Sequence, residues 1–450
     1  MRNATLALIC CFALYLYGAD SMKQSHLVVL DPGHFHATLV QKEMYPWLAK
    51  QVSVYAPLGP DVLDYLQRIT QFNTRKETPT TWDIELHSGP DFFERMLREH
   101  PGNVVIMSGR NRPKIDRVTA SVDAGFNVLV DKPWIIHSSD LPKLQRALDE
   151  AEAKHLVAYD IMTERYEITS ILQKEFVNDD ALFGKLEAGT DSAPAITARS
   201  VHHLMKEVAG VPLRRPAWFF DIAETGEGLA DVGTHVVDLV QWTAFPKRNT
   251  DYRSDIRILN ARRWPTVIPQ AEFRRVTGES QFPQYLDSHV KAGKLDYFCN
   301  NSVHYTVHGV HVNLDILWNW EALAGTGDSY EVVFRGTHAR VEIRQGAAQH
   351  YVPELYVVAG PENRPAVIAA LKTKIAGLQA NYPGVAVEES AGEIHIVIPP
   401  RFRVGHEAHF AQVTNQFSRY LEDPAKMPAW EKSNMLVKYF ITTKGVEAAQ

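Results

Sequence analysis

The stretch Val128-Leu129-Val130-Asp131-Lys132-Pro133-Trp134 runs from three apolar residues into an acid, a lysine and a proline. The apolar run reads as a buried strand. Lys132 is then a charged amine at the rim of a sheet, able to stabilise an oxygen that gains negative charge. A surface salt bridge is the plainer use of such a residue. The second informative stretch runs from Gly226 to Asp238. Its glycines precede a helix in which Asp231 and His235 are four residues apart, which stacks both side chains on one face. An acid one turn from a histidine can orient the ring and raise its basicity. A surface helix with a capping aspartate and a satisfied histidine also fits this stretch alone.

The elements that must position these groups differ between the two parts of the chain. In the first part, short apolar runs at Leu27 to Leu30, Gln51 to Tyr55, Asn103 to Met107, Asn127 to Val130 and His155 to Tyr159 alternate with helical stretches such as Ser138 to Lys154. This alternation predicts a parallel sheet covered on both faces, with ligands beyond the carboxyl ends of its strands. Residues 160–245 read mostly as helix and loop. Strand patterns follow at Val303 to His308, Tyr330 to Phe334, Ala339 to Ile343 and Glu393 to Val397, with helices over 365–380 and 406–421. The expected fold is α/β, in two domains. Residues 24–160 form the first, with a doubly wound parallel sheet, and 161–450 an α+β domain on an open, largely antiparallel mixed sheet.

The 450 residues carry 45% apolar and 22% charged side chains and a net charge of -6, an ordinary globular composition with no basic field for nucleic acid. No repeat or low-complexity tract interrupts it. Arg2 followed by the apolar run Ala4 to Ala19 reads as an export signal over residues 1–19, too short for a membrane span. A buried N-terminal helix is the other reading, and Cys10 or Cys11 is a candidate lipid attachment site. With those cysteines inside the signal, the mature chain keeps only Cys299, which excludes an internal disulfide and a cysteine metal site.

A strand ending in Asp131-Lys132-Pro133, followed about 100 residues later by the glycine-rich stretch with Asp231 and His235, resembles the Gfo/Idh/MocA family of nicotinamide-dependent sugar and polyol oxidoreductases. The resemblance covers most of the mature chain. It implies a Rossmann domain followed by a domain with an open mixed sheet. It implies Lys132, Asp231 and His235 as catalytic residues: neutral His235 the base, Lys132 the stabiliser of the substrate oxygen, Asp231 orienting substrate or His235. Trp218, shortly before the glycine-rich stretch, belongs to the substrate side of the same motif. Asp131, Lys132 and Pro133 also line the cofactor.

Other positions depart from the family pattern. Where its first turn carries three glycines, this chain has Asp31, Gly33 and His36. Only the middle glycine remains, and Asp31 adds negative charge where a pyrophosphate would lie. The cofactor therefore sits differently, is held by other contacts, or has been lost. Gly33, His34 and Phe35 are the cofactor candidates of this turn, and Ser108, Gly109 and Asn111 those after the fourth strand. Asp61 is a fallback ribose contact. The lack of an arginine after the second strand leans towards NAD, with NADP possible. Glu164, Arg165 and Tyr166 are candidate substrate contacts, with an interdomain salt bridge as the alternative for Glu164 and Arg165. His203 is a further substrate candidate. His202 and His203, read as helical neighbours, offer no metal pair, and no metal site is expected. Trp218-Phe219-Phe220, Tyr305 and Trp318 offer faces for a sugar ring, although core packing is the commoner use.

The export signal, the His34-Phe35-His36 turn and Asp160 to Tyr166 look most like an exported branch of the family in carbohydrate-degrading bacteria. That branch is associated with oxidising the C3 hydroxyl of glycosides, after which a partner lyase eliminates the aglycone. The expected protein is an exported, periplasmic NAD-dependent glycoside 3-dehydrogenase. Its cofactor is tightly held, its substrate is a small sugar or glycoside, and it forms a homo-oligomer. The competing readings are an NAD-dependent glycosidase acting by transient oxidation and a carbohydrate-binding protein on a decayed dehydrogenase fold.

Overall fold

The computed structural model describes residues 24–450 apart from 209, 210, 213 and 391. The export signal assigned to 1–19 lies outside the described residues. Six strands form the first sheet: β1 (Ser25–Leu30), β2 (Leu48–Ala56), β3 (Asp83–Ser88), β4 (Val104–Met107), β5 (Asn127–Val130) and β6 (Ala158–Asp160). All neighbours are parallel, in the order β3-β2-β1-β4-β5-β6. The winding direction changes between β1 and β4, which places a ligand crevice at their carboxyl ends. Burial on both faces explains the continuous apolar runs. In β1, Val28 and Leu30 enter one core while Leu27 and Val29 enter the other. β3 was not anticipated. It is an edge strand whose Asp83, Glu85 and Leu86 are exposed, so it carries no apolar run.

The second sheet is built from β7 (Ile196–Met205), β10 (Ile256–Pro269), β11 (Val290–Lys291), β12 (Lys294–Val307), β13 (Val310–Glu321), β14 (Ser329–Arg335), β15 (Ala339–Gln345), β16 (Glu354–Ala359), β17 (Ala386–Glu389) and β18 (Ile394–Val397). A separate ribbon pairs β8 (Glu207–Val208) with β9 (Val211–Pro212). The order is β10-β12-β13-β7-β14-β15-β16-β18-β17, with β11 on β12, and every pairing is antiparallel except β13 with β7. The chain is therefore α/β, a parallel sheet followed by an open, largely antiparallel mixed sheet. β7 corrects the expectation of helix and loop over 160–245: this central strand is interrupted by Thr197, Arg199, Ser200 and two histidines, which hid its period.

The Gly228–Ala244 helix lies on the second sheet, where Leu229, Val236 and Val240 join Val303, Leu314 and Ile316 in one core. A Cβ at Gly228 would stand 2.0 Å from the Cys299 carbonyl oxygen, so the close seating of this helix requires glycine there. The His406–Glu422 helix returns to the first sheet, burying Phe410, Val413 and Phe417 beside Leu27 and Val29. Tyr305, considered as a sugar platform, is fully buried core. Among the described residues no helix is long and apolar enough to cross a membrane.

A buried charge network joins the two parts. Arg165 donates to both oxygens of Asp238, at 2.6 and 2.7 Å, and to Glu431 at 2.7 and 3.0 Å. Lys438, with no exposed surface, lies 2.9 Å from Asp160 and 3.1 Å from Asp238. Arg165 is thus corrected from a substrate contact to an internal tie, since its donors already face two carboxylates. Tyr166 is corrected likewise: it packs against the first sheet's core. Arg165→Ala would leave two buried carboxylates short of a partner and should cost about 3–5 kcal/mol of stability. Urea unfolding measures this, and a loss below about 1 kcal/mol would show that the network is not a structural tie.

Candidate active site

Lys132 follows β5 at the carboxyl rim of the first sheet, and its ammonium donates to Asp231 on the 228–244 helix. The lysine side chain is 9% exposed and the aspartate 29%. Burial opposes the lysine charge, but Asp231 and Asp131 outweigh it and raise the Lys132 pKa. Burial likewise works to raise the Asp231 carboxyl, and Lys132 outweighs it and holds it low. The pair is ionised. Asp231 therefore pairs with the lysine across the two sheets, and the expectation that it orients His235 is corrected.

His235 lies one turn further along the same helix. Burial, and next the Lys132 charge, lower its pKa to about 4, with Glu164 pulling the other way. Its Nδ1 is buried and has no partner among the described residues. A neutral imidazole next to a fixed ammonium is what a base for a hydroxyl proton requires. Glu164 lies 3.5 Å from the His406 Nδ1. Burial tends to raise its carboxyl, but the surrounding His406, His235 and His409 rings prevail and hold it at about 2. Glu164 thus remains at the site.

The first turn departs from a glycine-rich one in an ordered way. Asp131 Oδ2 lies 2.9 Å from Ser108 Oγ, 3.0 Å from His36 Nδ1 and 3.3 Å from His34 Nδ1. The Asp31 carboxylate, expected to repel a phosphate, is paired with Arg117 at 2.6 Å. A Cβ on Gly109 would stand 2.7 Å from the Asp31 carbonyl oxygen and 2.9 Å from the Gly33 amide nitrogen. Gly109 therefore lets the fourth-strand loop lie against the first turn. A Cβ on Gly33 would meet only ordinary contacts at 3.4 Å, among them Asp61 and Trp218.

Several expected contacts have other partners. Ser108 is bonded to Asp131. Asn111 donates to the Thr225 carbonyl at 2.7 Å and accepts from Lys114 at 2.6 Å, so its amide docks the second part of the chain. Trp218, expected on the substrate side, instead covers the first turn. Its indole donates to Asp61 at 3.3 Å, and the Arg110 guanidinium lies 5.1 Å from its ring. His203 is held by Asp328 at 3.0 Å with Lys206 on the same carboxylate, and among the described residues no hydrogen bond brings it to Lys132 or Asp231. Its neighbour His202 packs on Trp318, with ring centroids 5.0 Å apart. Phe35 is half-exposed, with Arg68 above its ring. Lys132 and Pro133 are joined by a cis peptide bond.

Sequence reasoning missed Lys114, buried and bonded to the Asp131 carbonyl at 2.9 Å; burial lowers its pKa to about 8. It also missed Arg110 and Arg117. With Asp31, Ser108 and Gly109, these three cations line a hollow at the carboxyl ends of β1 and β4. The only sequence signal was the cluster Arg110, Arg112, Lys114 and Arg117 after a strand.

The family model described as "Putative oxidoreductase C terminal domain" matches residues 172–450. A crystal structure of a "putative oxidoreductase" from Parabacteroides merdae is 44% identical, covering 95% of this chain and 98% of that one, with a TM-score of 0.93. Levoglucosan dehydrogenase in complex with NADH is 12% identical over 95% of this chain and 97% of that one, TM-score 0.58. KijD10, a 3-ketoreductase from Actinomadura kijaniata in complex with NADP and TDP-benzene, is 12% identical over 92% and 95%, TM-score 0.54. These last two share the fold. No curated protein matches the chain in sequence.

Gly33→Val should fold, because its surroundings are ordinary contacts, yet lose bound nucleotide by intruding on the crevice. Nucleotide content after denaturation checks this, and full retention would show that the turn does not face the cofactor. The chain belongs to the oxidoreductase family that this C-terminal domain defines, and it is an enzyme.

Proposed function

We propose that this enzyme oxidises a hydroxyl of a sugar or glycoside, at C3, with a nicotinamide dinucleotide as hydride acceptor. The observation that carries the reading is the ionised Lys132–Asp231 pair beside a neutral, unpartnered His235 at the rim of a parallel sheet. The fold neighbours in complex with NADH and with NADP, one a sugar-derivative dehydrogenase and one a 3-ketoreductase, support the substrate class and the cofactor.

The hollow at the switch point fits such a cofactor by charge. Arg110 and Lys114 supply side-chain cations where glycine amides are lacking, while Arg117 neutralises Asp31. These residues, with Gly33 and the Trp218–Asp61–Arg110 cover, would hold the dinucleotide tightly. Arg110 beside Asp61 provides both a carboxylate for a ribose and a guanidinium for a ribose phosphate, so NAD and NADP are both accommodated. The bound nicotinamide supplies a hydride acceptor.

The chain's own residues do the rest. Lys132 donates a hydrogen bond to the substrate oxygen and stabilises it as charge develops. His235 takes the hydroxyl proton on its free nitrogen. Asp231 keeps Lys132 charged and aimed. A keto group at C3 acidifies the C2 proton, which suits a partner lyase acting on the product. Export to the periplasm, from the apolar segment at residues 4–19, would make a retained cofactor an advantage. The Glu164–His406 pair favours one second reading, elimination within the same site, which yields free sugar without net oxidation.

The test is kcat/KM against pH on a panel of glycosides, with the keto product measured. Neutral His235 is the active form, so activity should hold from neutrality to about pH 5 and fall as pH drops through about 4. Lys132→Ala should lose at least about 100-fold in kcat while still binding nucleotide. Full activity in that variant, or an acid limb near the ordinary histidine pKa of about 6.5, would overturn the assignment. Free sugar in place of keto sugar would select the elimination.

A further inference from the structure

We infer that His34, His36 and Asp131 form a binding site for one divalent cation of the zinc class. The inference departs from the metal-free expectation and does not depend on the sugar reading. The three ligand atoms lie within 4.8 Å of one another. His36 and Asp131 are buried, and His34 is partly exposed.

The hydrogen bonds around Asp131 do not close without a cation. Ser108 Oγ, His36 Nδ1 and His34 Nδ1 all face Oδ2, at 2.9, 3.0 and 3.3 Å. A carboxylate oxygen has two lone pairs for donors in its plane. One of the three groups is therefore surplus as a donor, while Oδ1 of the same carboxylate is buried and has no partner among the described residues. Crowding on one oxygen and none on the other is a poor solution for a buried anion. A cation resolves it by taking both imidazole lone pairs and the carboxylate. Ser108 then holds the carboxylate from outside the shell.

The spacing agrees. Metal bonds of about 2.0–2.2 Å put neighbouring ligand atoms roughly 3.3 Å apart in a tetrahedral shell and about 3.0 Å apart in an octahedral one. The observed nitrogen-to-oxygen distances are 3.0 and 3.3 Å. Two imidazoles and one carboxylate select zinc and its late first-row neighbours over magnesium or calcium. Lys132 and Lys114 stand near and oppose a cation. Their ammoniums, however, point to Asp231 and to the Asn111 side chain with the Asp131 carbonyl. The sequence signal is the His-Phe-His spacing directly after β1, joined in space to the acid that precedes Lys132.

The test is Co2+ titration of the full chain after chelator treatment, followed by visible absorption and equilibrium dialysis. A second trio, Asp191, His304 and His311, lies at the surface, so the titration is done in a His311→Gln background. One equivalent should bind. His34→Gln should weaken it at least about 10-fold with the metal-free melting temperature unchanged, because His34 is partly exposed. His36→Gln should abolish it. Ser108→Ala, if folded, should weaken it less than either. Absence of saturable uptake in the His311→Gln protein, or unchanged affinity in His34→Gln, would overturn the site; the His34 variant alone decides if His36→Gln does not fold.

Discussion

A lysine with 9% of its side chain exposed needs a carboxylate, and Lys132 finds one 99 residues away on the helix that lines the other sheet. The rest of the site depends on that pairing. It brings the rim of β5 against the 228–244 helix and keeps the ammonium charged despite burial. Burial, and next the field of that ammonium, keeps the neighbouring His235 neutral. An acid, a cation and a base thus take fixed and different protonation states within one small region, which is the condition for moving a hydroxyl proton while a hydride leaves the adjoining carbon. Behind it, the Arg165–Asp238–Glu431 and Lys438–Asp160 contacts tie the same helix to the C-terminal helix and to β6. The 228–244 helix is therefore held near its amino-terminal end by Asp231 and along its length by charges it does not expose.

The first turn shows how a dinucleotide crevice can be built with few glycines. Gly109 allows the fourth-strand loop to press on the turn, and Asp131 anchors the two histidines from beneath. Arg117 cancels Asp31, and Arg110 and Lys114 add charge at the switch point. In the proposed function, side-chain cations would stand in for backbone amides directed at a phosphate. Trp218 and Asp61 cover the result, which links the second part of the chain to the crevice.

Much of this was legible because it obeys local rules. Buried parallel strands leave continuous apolar runs, and β1, β2, β4 and β5 were readable for that reason. The Asp-Lys-Pro and Asp-x-x-x-His spacings were readable because strand ends and helix faces are local. What failed was contact at a distance. Nothing near Asp231 tells that Lys132, and not His235, is its partner. Arg165 looked like a site residue because it follows a strand, but Asp238 and Glu431 reach it from elsewhere. β7 was hidden because its polar residues face partners such as Asp328, in the loop just before β14. Lys114 was hidden because a buried lysine looks like any helical lysine until its acceptors are placed.

The central claim is hydride transfer from a sugar carbon to a dinucleotide held beside Lys132. The most direct measurement offers the purified protein a glycoside carrying deuterium at C3, limits reaction to a single turnover, and weighs the nucleotide released on denaturation. The expected product is a reduced nicotinamide dinucleotide carrying one deuterium, in amount equal to the keto sugar formed. Keto sugar with an unlabelled nucleotide, or no nucleotide at all in protein supplied with NAD and NADP, would contradict it.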